Sequence, residues 1–319
     1  MDILDVRIFC AMGFCQNLPP SGPLDRRPSP GVIARNLGLD IRAVKARIKR
    51  MEAEGFIKHY QVLPNYDALG LACSVYAIRF DNPAAKREAV SKLRLVDGVV
   101  GVDEMANSMM VSLVFPAPSE LQRQVALVKE LIKVEPTKAY DIAMPRVQTK
   151  LSQTDWLIIK SLRYDALKPA KRIAEELGIT VRTVNNRLQR LIRQRAFFIV
   201  PIVSVEKVAH LIFYAMFFFL DESRRKEAVR GILESFTNRS FNQVLRESGP
   251  IVFFMFAERM SECEDSHIAA KGIDGVMMVL MDFYRESHDF SECIDRLIGQ
   301  KVAPHGTQDY IAPASARGK

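Results

Sequence analysis

Apolar residues recur at Val44, Ile48 and Met51, the i, i+4, i+7 spacing of a helix with one buried stripe. Asp40 is suited to open that helix. Arg42, Lys45 and Lys49 fall off the stripe, so the outer face is basic. Just upstream, residues 29–38 predict a shorter helix, with Ser29 as cap, Pro30 as first helical residue and Gly38 as the turn that ends it. Two helices joined by a tight Gly-containing turn, the second one basic, predict a helix-turn-helix. Its second helix has the character needed to lie in a DNA major groove. The pattern returns at a constant offset of 140: Ile33, Ala34, Leu37, Gly38, Arg42, Val44, Arg47 and Arg50 reappear as Ile173, Ala174, Leu177, Gly178, Arg182, Val184, Arg187 and Arg190. One amphipathic basic helix pair is an ordinary occurrence. Two in register point to nucleic-acid binding.

The flanking patterns repeat too. Residues 3–14 predict a first helix, matched by 155–162, and Asp5 aligns with Asp155 at an offset of 150. The first copy therefore carries about ten extra residues, the Pro- and Arg-containing stretch 16–27, which predicts an exposed loop. After each recognition-type helix comes a β-prone run, 55–62 and 196–203, expected to turn back as a wing hairpin. The rest of each half alternates strands and helices. In the first, strands 71–80, 99–102, 109–115 and 137–144 surround helices 83–95 and 118–133. In the second, strands 210–220, 241–245, 251–257 and 275–284 surround helices 224–236 and 261–270. The order βαββαβ is the ferredoxin-like arrangement. The second set is apolar on both faces (Phe213, Phe217, Phe218, Met277, Met278), so its sheet needs cover on both sides.

The expected fold class is α+β, two winged helix-turn-helix domains alternating with two ferredoxin-like modules. The expected divisions are 1–66, 67–147, 148–206 and 207–300, with a closing helix at 291–299 and a disordered tail at 301–319. The greasy second sheet predicts homo-oligomers formed through the sheets.

Charge sharpens this picture. The 319 residues carry a net charge of +8, which favours an anionic partner. Five arginines and no acidic residue fall between Thr180 and Arg195. Cys10, Cys15, Cys73, Cys263 and Cys293 are scattered without a Cys-x-x-Cys pair, the usage of a reducing cytoplasm. The start lacks a signal-peptide pattern, and the longest apolar run, 211–220, is about half of what a bilayer requires. A cytoplasmic protein without a membrane partner is expected.

Leu4, Asp5, Ile8, Ile33, Ala34, Leu37, Gly38, Leu39, Val44, Arg47, Ile48, Met51, Gly55, Phe56 and Ile57 together resemble the helix-turn-helix signature of the leucine-responsive regulatory protein (Lrp/AsnC) family. The βαββαβ module that follows resembles that family's sensing and dimerisation domain. The chain departs from the family in carrying two such units. It also lacks the family's usual turn before the third strand, having Glu104 to Met109 without a glycine and only Ser248-Gly249 in the second half.

The resemblance implies a regulator that binds double-stranded DNA, with a small-molecule effector on the sensing modules. Candidate base readers are Arg42, Lys45 and Lys49 on one recognition helix, 40–54. On the other, 180–194, they are Arg182, Thr183, Asn185, Asn186 and Gln189. Arg47 and Arg187 are the candidate phosphate contacts, their alternative being a salt bridge inside the domain. Asn and Gln pair with adenine, Arg with guanine. Because the two helices carry different readers, one chain is expected to read an asymmetric site as a tethered pseudo-dimer whose sheets pack face to face.

No cofactor, metal site or enzyme activity is expected. The histidines His59, His210, His267, His288 and His305 are dispersed, and neither a phosphate-binding Gly loop nor zinc-ligand spacing is legible. Two alternatives share the architecture or the charge. One is a tetrapyrrole enzyme resembling the sirohaem decarboxylases, which would need histidines and arginines lining its site. The other is a non-specific architectural DNA-binding protein.

Overall fold

A computed structural model describes residues 1–14, 29–208, 210–290 and 292–303. The loop expected at 16–27, the tail beyond residue 303, Cys15 and His305 lie outside the described residues. The first half contains α1 (Ile3–Phe9), α2 (Pro30–Leu37), α3 (Ile41–Ala53), β1 (Ile57–Pro64), α4 (Tyr66–Leu69), β2 (Ala72–Arg79), α5 (Pro83–Leu93), β3 (Val99–Met105), β4 (Ser108–Phe115), α6 (Pro118–Ile132) and β5 (Thr137–Ile142). The second contains α7 (Gln153–Leu162), α8 (Ala170–Leu177), α9 (Val181–Arg193), β6 (Phe197–Val203), β7 (Ile212–Leu220), α10 (Arg225–Phe236), β8 (Ser240–Val244), β9 (Ile251–Ala257), α11 (Met260–Lys271), β10 (Val276–Asp289) and α12 (Glu292–Val302). After α1 the helix loosens into a π-helical turn, Cys10–Phe14.

Each half therefore opens with three helices and a strand, followed in the first half by the short α4, and continues as βαββαβ, and the α+β class stands. Both short helices end on a left-handed glycine, Gly38 at φ 66° and Gly178 at φ 65°. Glycine reaches that conformation without the steric cost of a Cβ, which is what turns the chain into the recognition helix.

The wings differ from expectation. β1 does not turn back on itself. It pairs antiparallel with β6 of the other half, Pro64 opposite Phe197 and Tyr60 opposite Pro201. Its other edge is bonded as well: Val62 N–H donates to the Arg163 carbonyl (2.9 Å) and Ala166 N–H to the Tyr60 carbonyl (3.0 Å). The reason lies in β6, where Phe197, Phe198 and Ile199 are fully or almost fully buried. A run that apolar needs a protein partner, and its twin supplies it. The two helix-turn-helix domains thus share one apolar core, in which Val44, Met51, Val184, Leu188 and Leu191 meet Val62, Phe197 and Ile199. The closing helix α12 adds Cys293, Ile294 and Ile298 to the same core.

The α/β modules form one eight-stranded sheet in the order β5-β2-β4-β3-β10-β7-β9-β8. Each four-strand half has the ferredoxin-like order. They join because β10 runs past the expected residue 284 to Asp289, its first part pairing with β7 and its last part with β3. Helices α5 and α6 cover the outer face of one half, α10 and α11 that of the other. The inner faces pack on each other through Val75, Met105, Met110 and Tyr140 on one side and Ala215, Val252 and Phe254 on the other. The sheet is thus folded over on itself, which covers the second face of β7 and β9, while Met277 and Met278 at the start of β10 stay exposed. At its open ends the Arg246 guanidinium donates to the Ala139 carbonyl at 2.5 Å.

Cys73, Cys263 and Cys293 are buried free thiols and Cys10 is half-buried. Burial pushes the Cys73 thiol up to about 12 and Cys263 up to about 11, away from thiolate chemistry. No helix of the described residues is long and apolar enough to cross a membrane.

Candidate nucleic-acid interface

Each recognition helix is fixed at its start by a side-chain cap. Asp40 accepts from the amides of Arg42 (2.8 Å) and Ala43 (3.1 Å). Thr180 Oγ1 accepts from the Thr183 amide (3.1 Å) and lies 2.9 Å from Thr183 Oγ1. Such a cap stabilises a helix by about 1 kcal/mol. Thr183 is accordingly half-buried and engaged in the cap.

The recognition helices are then clamped to the first helix of each domain by the same device built twice. Asp2 and Asp5 form a capping box, the Asp2 carboxylate accepting from the Asp5 amide (3.0 Å) and the Asp5 carboxylate from the Asp2 amide (2.9 Å). Ser152 and Asp155 form its counterpart. Both Asp5 and Asp155 have side chains at 0% exposure. Arg47 Nη1 donates to Asp2 and to Asp5, each at 2.8 Å, and Arg50 reaches Asp5 as well. In the second copy Arg187 Nη1 donates to Ser152 Oγ and to Asp155 Oδ1, each at 2.9 Å, and Arg190 closes on Asp155. Burial alone would raise the Asp155 carboxyl. The bonds from Ser152 and Arg187 and the charge of Arg190 outweigh it and hold the group below the usual carboxylate range. Asp2 is lowered in the same way, against its partial burial, by Arg47, the Asp5 amide and Arg50.

The structure gives Arg47 and Arg187 the salt bridge inside the domain that stood as the alternative to a phosphate contact, and leaves their side chains 26% and 30% exposed. A guanidinium shared between two carboxylate or hydroxyl partners ties the recognition helix to the first helix of its domain. The other candidates stand free of the core: Arg42, Lys45 and Lys49 are exposed along α3, and Arg182, Asn185, Asn186 and Gln189 along α9. Sequence reading missed two apolar residues at matched positions. Ile41 and Val181, the first residues of α3 and α9, are 43% and 42% exposed. The signal was present in the repeat, since both are β-branched residues at the 140 offset.

The two domains are tied by Asn65, whose side chain is fully buried. Its Nδ2 donates to the carbonyls of Pro145 and Arg195, each at 2.8 Å, and its Oδ1 accepts from the Asp67 amide (2.9 Å). Arg163, 3% exposed, donates to the Val62 carbonyl and to Asp295 of α12, each at 2.8 Å. His59 is exposed on β1 and lines a shallow cleft with Glu52, Tyr60, Tyr164 and Asp165.

Comparison with known proteins agrees with this construction. A family profile described as winged helix-turn-helix DNA-binding matches residues 25–58 and again 151–194. No curated protein sequence matches the chain. Among solved structures, the sirohaem decarboxylase NirDL has the same fold over almost the whole length, at 16% identity and a TM-score of 0.55, covering 94% of this chain and 98% of that one. The same protein with an iron-uroporphyrin III analogue gives 0.56 over 94% and 99%. AsnC of E. coli matches over 41% of this chain and 89% of its own at 15% identity, with a TM-score of 0.35. The matched segments and the shared fold together make this an α+β chain that carries a winged helix-turn-helix of the DNA-binding type at the head of each half.

Proposed function

We propose that the protein is a sequence-specific double-stranded DNA-binding regulator of the Lrp/AsnC type, whose single chain presents two unlike recognition helices as a tethered pseudo-dimer. The observation that carries this reading is the β1–β6 pairing. It holds two helix-turn-helix units in one fixed relation while their readers stay exposed. Arg42, Lys45 and Lys49 read one half-site, and Arg182, Asn185, Asn186 and Gln189 the other. Ile41 and Val181 supply apolar contacts of the kind made to thymine methyl groups. Lysines and arginines around them neutralise phosphates and give affinity its salt dependence. The arginine clamps at Asp5 and Asp155 hold each helix at the angle the groove requires.

The test is selection from random-sequence duplex DNA at two salt concentrations. Enrichment of a non-palindromic motif, with affinity falling steeply with salt, is the expected result. Asn185→Ala should then cost about 1–3 kcal/mol at one position of the motif and relax the preference there. A palindromic motif would mean that two chains each present the same helix. Binding without enrichment would make the protein architectural, and absence of binding would overturn the reading.

The whole-length fold likeness to NirDL supports a second reading, a tetrapyrrole enzyme. Against it stands the packing of the folded-over sheet, whose inner faces meet through the apolar side chains of Val75, Met105, Met110, Ala215, Val252 and Phe254. A haem titration separates the two readings, because uptake with a Soret band would favour the enzyme.

A further inference from the structure

The junction of the two modules holds a group of side chains that the DNA reading does not use. Along the β3–β10 ladder Glu286 stands directly opposite Glu104, and His288, two residues further on the same face, stands opposite Val102. Two carboxylates facing each other across strands repel. One charge is compensated by Lys86 of α5, which is 4% exposed and lies 3.0 Å from Glu104 Oε1. Lys86 is occupied further by the carbonyls of Met105 and Ala106. The second oxygen of Glu104 lies 3.6 Å from His288 Nε2, and Glu286 Oε2 lies 3.9 Å from the same nitrogen. That nitrogen is buried and has no hydrogen-bond partner. The imidazole is stacked on Phe290, centroids 6.1 Å apart, which fixes its plane.

These separations are too long for hydrogen bonds, and a buried nitrogen without a bond is costly. They suit three atoms around one ion. The three candidate ligand atoms lie within 4.8 Å of one another. Bonds of about 2.0–2.1 Å put neighbouring ligands of a tetrahedral ion about 3.4 Å apart, a closure within reach of small side-chain rotations. We propose that Glu104, Glu286 and His288 form a binding site for a divalent transition-metal ion, with water completing its coordination. An imidazole among the ligands selects the zinc class over magnesium or calcium, which take oxygen alone. With neutral imidazole, the two carboxylates and Lys86 leave one net negative charge for the ion to offset. One ligand comes from each of two modules' strands and a second from β10, so the ion pins the halves of the sheet together at their shared seam.

The full-length chain, stripped with a chelator, is titrated with Zn2+ in competition with a chromogenic chelator, beside Glu286→Gln and His288→Gln. Both positions are partly exposed, and the metal-free variants should unfold within a few degrees of the parent chain. The expected result is one ion per chain. Affinity should fall in both variants by more than the ~10–100-fold that loss of a mere outer-shell partner costs. Zn2+ should raise the melting temperature of the parent and leave that of both variants unchanged. Failure of the parent chain to take up zinc, or undiminished affinity in both variants, would overturn the proposal.

Discussion

Asp155 shows how much one residue organises here. It closes the capping box of α7 and, fully buried, receives both arginines of α9. Asp155→Asn keeps the shape and removes the charge, so it should cost about 1–3 kcal/mol in urea unfolding at neutral pH. The pH dependence follows from the depressed carboxyl. A group lowered on folding contributes stability above its ordinary value, about 4 for Asp, and loses it as pH falls below that. The gap between the parent and Asp155→Asn should therefore be full at pH 7 and narrow toward pH 3, with Asp2 adding to the same acid loss. An unchanged gap would show that the clamp is not carried by charge. The sequence repeat marks Arg47, Arg50, Arg187 and Arg190 as a set, but it leaves open whether Arg47 and Arg187 meet a phosphate or a carboxylate inside the domain. A basic residue on a recognition-type helix looks the same whether it faces DNA or an aspartate some forty residues away.

Elements were legible where local pattern decides them and illegible where a distant partner does. The helices and most strands fall within a few residues of expectation, because period and caps are local properties. The wing was misjudged because a β-prone run announces a strand and not its partner, and β6 lies about 140 residues from β1. The end of β10 was missed because Arg285, Glu286, Ser287, His288 and Asp289 read as a polar loop. They are a strand because the edge of β3 offers them a ladder. The β1–β6 seam makes its own prediction through Asn65, which binds three groups from three segments. Asn65→Ala removes the partner of two half-buried carbonyls and a helix cap, and should cost about 2–4 kcal/mol, read as a lower urea midpoint. Asn65→Asp should be no better, since it replaces the donor with a charge.

At the scale of the whole molecule the chain assembles from within what a two-subunit protein assembles by association. The helix-turn-helix domains share one core, the modules share one sheet, and α12 returns from the last strand to pack beside α7. Charge alone pointed to an anionic partner. The unlike residues at matched positions, Lys45 against Asn185 and Ala46 against Asn186, pointed to an asymmetric one. What the sequence could not convey was that the two sheets would merge at β3 and β10, since that contact depends on both halves being present in one chain.

The pairing of β1 with β6 also fixes how such a protein behaves when it is scarce. Two separate subunits must first find each other, so their paired form thins out with the square of their abundance. Here the partner strand is always the same chain's own, and no concentration exists at which the pair is diluted away. The unfolding midpoint should not move over a thousandfold dilution, and DNA occupancy should rise as a simple hyperbola with protein. A cell holding only a few copies of this chain would still hold that many paired helix-turn-helix units.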